Sequence, residues 1–191
     1  MPALDSVAAK SLGFAALGAN VMISDRASFY GAERIHIGNN VRIDDFCVLS
    51  AGLGGIYIGD NIHMAVYSSC IGRGRITLSD FCNISSRVSI YSSSDDYSGA
   101  TMTNPMVPER FTGVTHADVM IGRHVIIGSG SVVLPGVTVA EGAAVGALSL
   151  VRSDCQAFGI YAGTPAKRLR ERKRDLLALE QEFLRWRGLQ A

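Results

Sequence analysis

From residue 121 onward an aliphatic side chain recurs at every sixth position: Ile121, Ile127, Val133, Val139, Val145 and Val151. Glycine follows it at 122, 128 and 146. The same step runs through the earlier chain in groups of three: Leu17, Ile23, Phe29; Ile37, Ile43, Leu49; Ile58, Met64, Cys70; Leu78, Ile84, Ile90. An alternating strand has a period of two, and this much Gly and β-branched side chain disfavours a helix. A fixed repeat of six points to an all-β solenoid, whose short units bury their apolar faces by stacking on one another. At three hexads per coil the pattern predicts six coils, a prism roughly 29 Å long at about 4.8 Å per coil.

The fifth position of each hexad is an independent check. It holds Val21, Ala27, Val41, Cys47, Ile62, Ser68, Cys82, Val88, Val125, Ser131, Val137, Ala143, Ser149 and Cys155, mostly small side chains suited to an inward-facing corner. This register also accounts for the cysteines. Cys47, Cys82 and Cys155 take the small inward position and Cys70 an aliphatic one, so they read as buried free thiols rather than zinc ligands or disulfides.

The period breaks between Ile90 and Ile121, where about 25 extra residues are extruded as a loop, residues 92–118. A long loop on a regular scaffold is usually functional. After Val151 the repeat fades, and Ala166 to Arg187 reads as a helix with Pro165 in its first turn and a basic cluster near its start. The chain thus divides into a repeat domain, 1–164, and a C-terminal helix, 165–191, expected to cover the open end of the solenoid.

Composition narrows the function classes. Hydrophobic residues make up 48%, charged residues 18%, and the net charge is +1, which gives no global pull towards nucleic acid or membrane. No apolar run reaches the length of a membrane span, and the N-terminus lacks the basic start and clean apolar block of a secretory signal, so a cytoplasmic location is expected.

The stretch IGRHVIIGSGSVVLPGVTVAEGAAVGALSLVRSD, followed by YAGTPAKRLRER, resembles the hexapeptide-repeat acyltransferases, in particular those similar to maltose and galactoside acetyltransferases and to O-antigen and capsule sugar acetyltransferases. The resemblance implies a left-handed parallel β-helix, a homotrimer with intersubunit sites, and acetyl-CoA as co-substrate with no metal. It further implies a sugar acceptor in surface polysaccharide synthesis, with O-acetylation as the main expectation. N-acetylation of a nucleotide-linked amino sugar is the alternative, and a non-catalytic scaffold subunit a third. For the cofactor it suggests Lys167 and Arg168 against the phosphates, and Gly128, Ser131, Gly146 and Ala147 along the arm.

Acyl transfer from a thioester requires the acceptor to lose a proton as it attacks. The maltose-type pattern has a histidine just after the last strand before the loop; here that place reads Ser92, Ser93, Ser94, Asp95, Asp96. Asp95, Asp96 and the loop's His116 are therefore candidates, with Tyr97 beside them for the acceptor. His63 is the further candidate. The six-residue register stacks Arg42, His63 and Asn83 in one outward polar column, in which Asn83 fixes the imidazole tautomer and Arg42 and Asn83 help hold the sugar. His36 reads as a turn residue and His124 as a solvated surface group. The three-histidine spacing of a carbonic anhydrase on this scaffold is missing, and no metal site is expected.

Overall fold

The computed structural model describes residues 2–189, so residue 1 and residues 190–191 of the two expected segments lie outside it. The hexads wind into a parallel β-solenoid with three faces. The first face stacks Ala16–Leu17, Ile35–Ile37, Ile56–Ile58, Ile76–Leu78, Val119–Ile121 and Thr138–Val139. The second stacks Met22–Ile23, Val41–Ile43, Ile62–Met64, Asn83–Ile84, Ile126–Ile127 and Ala144–Val145. The third stacks Ser28–Tyr30, Val48–Ala51, Ser69–Gly72, Ser89–Tyr91, Val132–Val133 and Leu150–Val151. Six coils are complete, and a seventh begins where Cys155 bridges Val139 and Gly159–Ala162 pairs with Ala144–Val145.

The register aligns the hexad aliphatics into columns, such as Ile37, Ile58, Leu78, Ile121 and Val139 on the first face. Every one of these is at most 4% exposed, and each fully buried Ile, Leu or Val contributes about 1.5–3 kcal/mol. The fifth-position residues from Val41 to Cys155 are buried beside them. The corners require left-handed backbone, taken by Asn20, Asn40 and Asn61 at one edge and by Phe46, Tyr67 and Leu148 at another. Asparagine tolerates this conformation, whereas the aromatic and Leu residues adopt it at a cost. Their side chains project outward, and Phe46 stacks on Tyr67 at 4.9 Å.

The N-terminal segment forms a short helix, α1 (Ser6–Ser11), capped by the Asp5 carboxylate. The C-terminal segment departs from the expectation. Pro165 follows a cis peptide bond in a turn, and Lys167–Glu171 is a strand antiparallel to Gly159–Ala162, not the start of a helix. The helix, α2, spans Asp175–Gly188. It lies along the corner between the first and second faces instead of over the open end, for a specific reason. Glu180 is buried there against Arg123 and His124, with His124 Nε2 at 2.7 Å. Phe183 meets Phe81 edge-on, and Arg187 donates to Asn61 at 3.2 Å. His124 is accordingly not solvated: its side chain is 10% exposed and stacked on Phe81. His36 likewise lies within a strand, stacked on Tyr57 at 4.5 Å, and not in a turn.

Candidate active site

On the second face the ladder pairs Arg42 with His63 and His63 with Asn83, so the three outward residues stand on successive coils. The imidazole, however, is held by a residue the hexad pattern does not single out. His63 Nε2 lies 2.8 Å from Asp44 Oδ2, and Arg42 Nε donates to Asp44 Oδ1 at 2.7 Å. Burial raises the carboxyl's proton affinity, but the hydrogen bonds and charge of His63 and Arg42 outweigh it and hold Asp44 below the usual carboxylate range. Among the described residues Asn83 makes no side-chain hydrogen bond to the ring, whose side-chain partner is Asp44 instead.

The extruded loop leaves the third face and returns to the first, and its neck is a two-stranded ribbon pairing Ser93–Ser94 with Thr115–His116. Ser93 and His116 join there through Ser93 Oγ and Nδ1 at 2.8 Å, and the same hydroxyl accepts the Arg73 amide at 2.8 Å. Asp96 turns inward on its own loop, where its oxygens accept the amides of Ser98 and Thr101, both at 2.8 Å. Those bonds hold its carboxyl far below the ordinary range, which makes it a poor proton acceptor.

Asp95 has different surroundings. It lines a hollow of about 620 Å³ within the loop, with Met106, Val107, Pro108 and Thr112. It also lines a second hollow, of about 310 Å³, between the loop and the third face, with Tyr91, Tyr97, Val132, Leu134 and Pro135. No described residue donates a hydrogen bond to its carboxylate, and Tyr97 stands 92% exposed at the rim. The LPGV segment thus supplies the apolar wall beside a free carboxylate. A third hollow, about 350 Å³ on the first face, gathers His36, Tyr57, Asp80 and Arg123; the hexad register gave no sign of it.

The residues suggested for the cofactor divide into two groups. Ser131 is fully buried, its hydroxyl donating to Gly146 O at 3.0 Å and accepting the Ser149 amide at 3.2 Å, so it faces no ligand. Gly128 is required by coil stacking, since a Cβ there would fall 2.4 Å from Ala147 N. Gly146 serves the same stack through its amide to Tyr161 O at 2.7 Å. Ala147, Lys167 and Arg168 are exposed instead. The Ala166 amide on Leu150 O and the Thr164 hydroxyl on Leu148 O bring the hairpin turn to the corner between the second and third faces. Arg168 is paired with Glu171 there, whereas Lys167 has no ion-pair partner among the described residues.

Burial pushes the thiols of Cys47 and Cys155 to about 11 and those of Cys70 and Cys82 to about 12, which removes thiolate nucleophiles near neutral pH. Among the described residues no three His, Cys, Asp or Glu side chains gather as a metal centre would need, and no helix is long and apolar enough to cross a membrane.

Comparison with known proteins adds the following. No family model matches the chain. A dTDP-4-amino-4,6-dideoxy-D-glucose acyltransferase of Escherichia coli is 60% identical over 183 residues, 96% of this chain and 95% of that protein. The N-acyltransferase AntD from Bacillus cereus, solved with dTDP and 3-hydroxybutyryl-CoA, superposes with a TM-score of 0.94 at 41% identity, covering 98% of this chain and all of that one (100%). A chloramphenicol acetyltransferase of Agrobacterium fabrum is 32% identical over 130 residues, 60% of this chain and 62% of its own length.

Proposed function

The chain belongs to the hexapeptide-repeat acyltransferases, and from that premise we propose that it transfers an acyl group from acetyl-CoA or a related acyl-CoA to the amine of a nucleotide-linked amino sugar. This reverses the order of the two expectations for the acceptor, since the relatives alike over nearly their whole length act on an amino sugar or are N-acyltransferases. The observation that carries the reading is the place of Asp95. Its carboxylate accepts no hydrogen bond from a described residue and is shared by a hollow in the loop and a hollow against the third face, which supports the reading that acceptor amine and thioester approach each other beside it.

The geometry supports a division of labour. Asp95 accepts hydrogen bonds from the acceptor's amine and orients it, because its carboxylate borders both hollows and no described residue donates a hydrogen bond to it. Leu134, Pro135 and Val132 border the acyl end, and Lys167, the exposed cation at the far edge of the third face, meets the donor's phosphates. His63 lies on another face from the loop. A homotrimer in which one chain's loop reaches its neighbour's second face supplies the base from that neighbour.

Paired nucleotide-linked sugars, identical except for an amino or a hydroxyl group, test the reading. CoA release is expected with the amino sugar and roughly a hundredfold less with the hydroxyl analogue. Turnover of the hydroxyl sugar alone would restore O-acylation.

A further inference from the structure

Asp44 departs from the pattern of its own column. The residue that follows the buried aliphatic on the second face is Ser24 in the first coil, Ala65 in the third, Ser85 in the fourth, Gly128 in the fifth and Gly146 in the sixth. The second coil places a carboxylate at this small-residue position, and its side chain is 9% exposed. A charge so removed from water needs partners, and Asp44 has two: Arg42 from its own coil and His63 from the next.

The pairing has a chemical consequence at the ring. With Nε2–H donated to Asp44, the lone pair of His63 is on Nδ1, and no described residue bonds to that atom. The His63 side chain is 42% exposed, so the lone pair is accessible from outside the solenoid. The charged or polar groups around the ring are Arg42 and Asp44 from the preceding coil and Asn83 from the following one. Arg187 of α2 is anchored on Asn61, two residues before His63. Asp44 is thus the carboxylate that orients the imidazole, and Arg42 keeps that carboxylate ionised.

We propose that Asp44 is a positioning residue for His63, fixing the Nε2–H tautomer so that Nδ1 takes the acceptor's proton. The proposal rests on the acyl-transfer reading above. In the step, the acceptor nitrogen forms its bond to the thioester carbonyl carbon and the C–S bond breaks. The proton leaving nitrogen passes to His63 Nδ1 and is returned to the departing CoA thiolate, so the products are an amide and free CoA thiol.

The test joins ¹⁵N-histidine spectra of the intact protein to steady-state kinetics. Wild type should show the Nε2–H tautomer at His63. Asp44→Asn, which can donate to Nε2, should lose that signature and lower kcat about tenfold to a hundredfold with little change in acceptor KM, less than the about 10²–10⁴-fold expected on losing the base in His63→Asn. Arg42→Ala should retain the tautomer. If Asp44→Asn does not fold, Asp44→Ser, the residue the first coil carries at this position, takes its place. An unchanged tautomer and kcat in these variants would overturn the proposal, as would full kcat in His63→Asn. Wild type that acylates no amino sugar, yet loses the tautomer on Asp44→Asn, would sink the substrate reading and leave the Asp44–His63 pairing standing.

Discussion

Asp95 and Asp96 are adjacent carboxylates with opposite surroundings, and their difference is a prediction in itself. Asp96 accepts three hydrogen bonds within its own loop, including the Thr101 hydroxyl at 3.1 Å, whereas Asp95 accepts none from a described residue and borders two hollows. Asp95→Asn should lower kcat about 10²-fold, the scale of a misplaced acceptor. Asp96→Ala should chiefly raise acceptor KM, because it loosens the turn that shapes the loop. Kinetics on the two variants with one amino sugar separate these effects, and equal losses in kcat would contradict the division. Sequence alone pairs the two residues, since both sit at the same exit from the coil. Which of them closes a turn depends on the amides of Ser98 and Thr101, whose directions no residue pattern encodes. His63 shows the same limit: the six-residue step reveals its column, but nothing in that step singles out Asp44 as the partner of the ring.

At the scale of elements, repetition decides what the sequence reveals. Strands that recur every six residues are legible because eighteen weak signals share one register. The segment Lys167–Glu171 carries no such repetition, and its basic, partly aliphatic composition suits a helix as well as an edge strand. It becomes a strand because Gly159–Ala162 offers an unpaired edge at the end of the second face. Helix α2 then docks through Glu180, His124 and Arg123, which yields a pH prediction. Burial, aided by the nearby charges of Arg123 and Arg172 and opposed by Glu141 and Asp80, lowers the proton affinity of His124. A histidine depressed in the folded state stabilises above the unfolded value of about 6.5 and loses that contribution as pH falls through its folded value. The contact of α2 should therefore weaken as pH drops below about 6.5. Trp186 is the one tryptophan and lies on this helix, so its emission reports the contact. The pH response should be lost in His124→Gln; a transition that persists in that variant would place the cause elsewhere.

At the scale of the whole molecule, the solenoid separates the two groups that the proposed reaction requires together. The loop that carries Asp95 leaves at the corner between the third and first faces, while His63 stands on the second. A prism cannot fold one face onto another, so a site using both needs a second copy, and a ring of copies joined head to tail repeats that junction at every interface. Chains carrying His63→Asn and chains carrying Asp95→Asn should each be nearly inactive alone. Mixed in equal amounts and reassembled at random, they should recover about a quarter of the wild-type rate, because one junction in four joins an intact loop to an intact histidine. Light scattering on the same mixture should give the mass of three chains. Recovery with only monomer present would break the link between assembly and activity. No recovery from well-mixed trimers would mean that each chain uses its own Asp95 and its own base, which would return that role to the loop, where His116 stands beside Ser93.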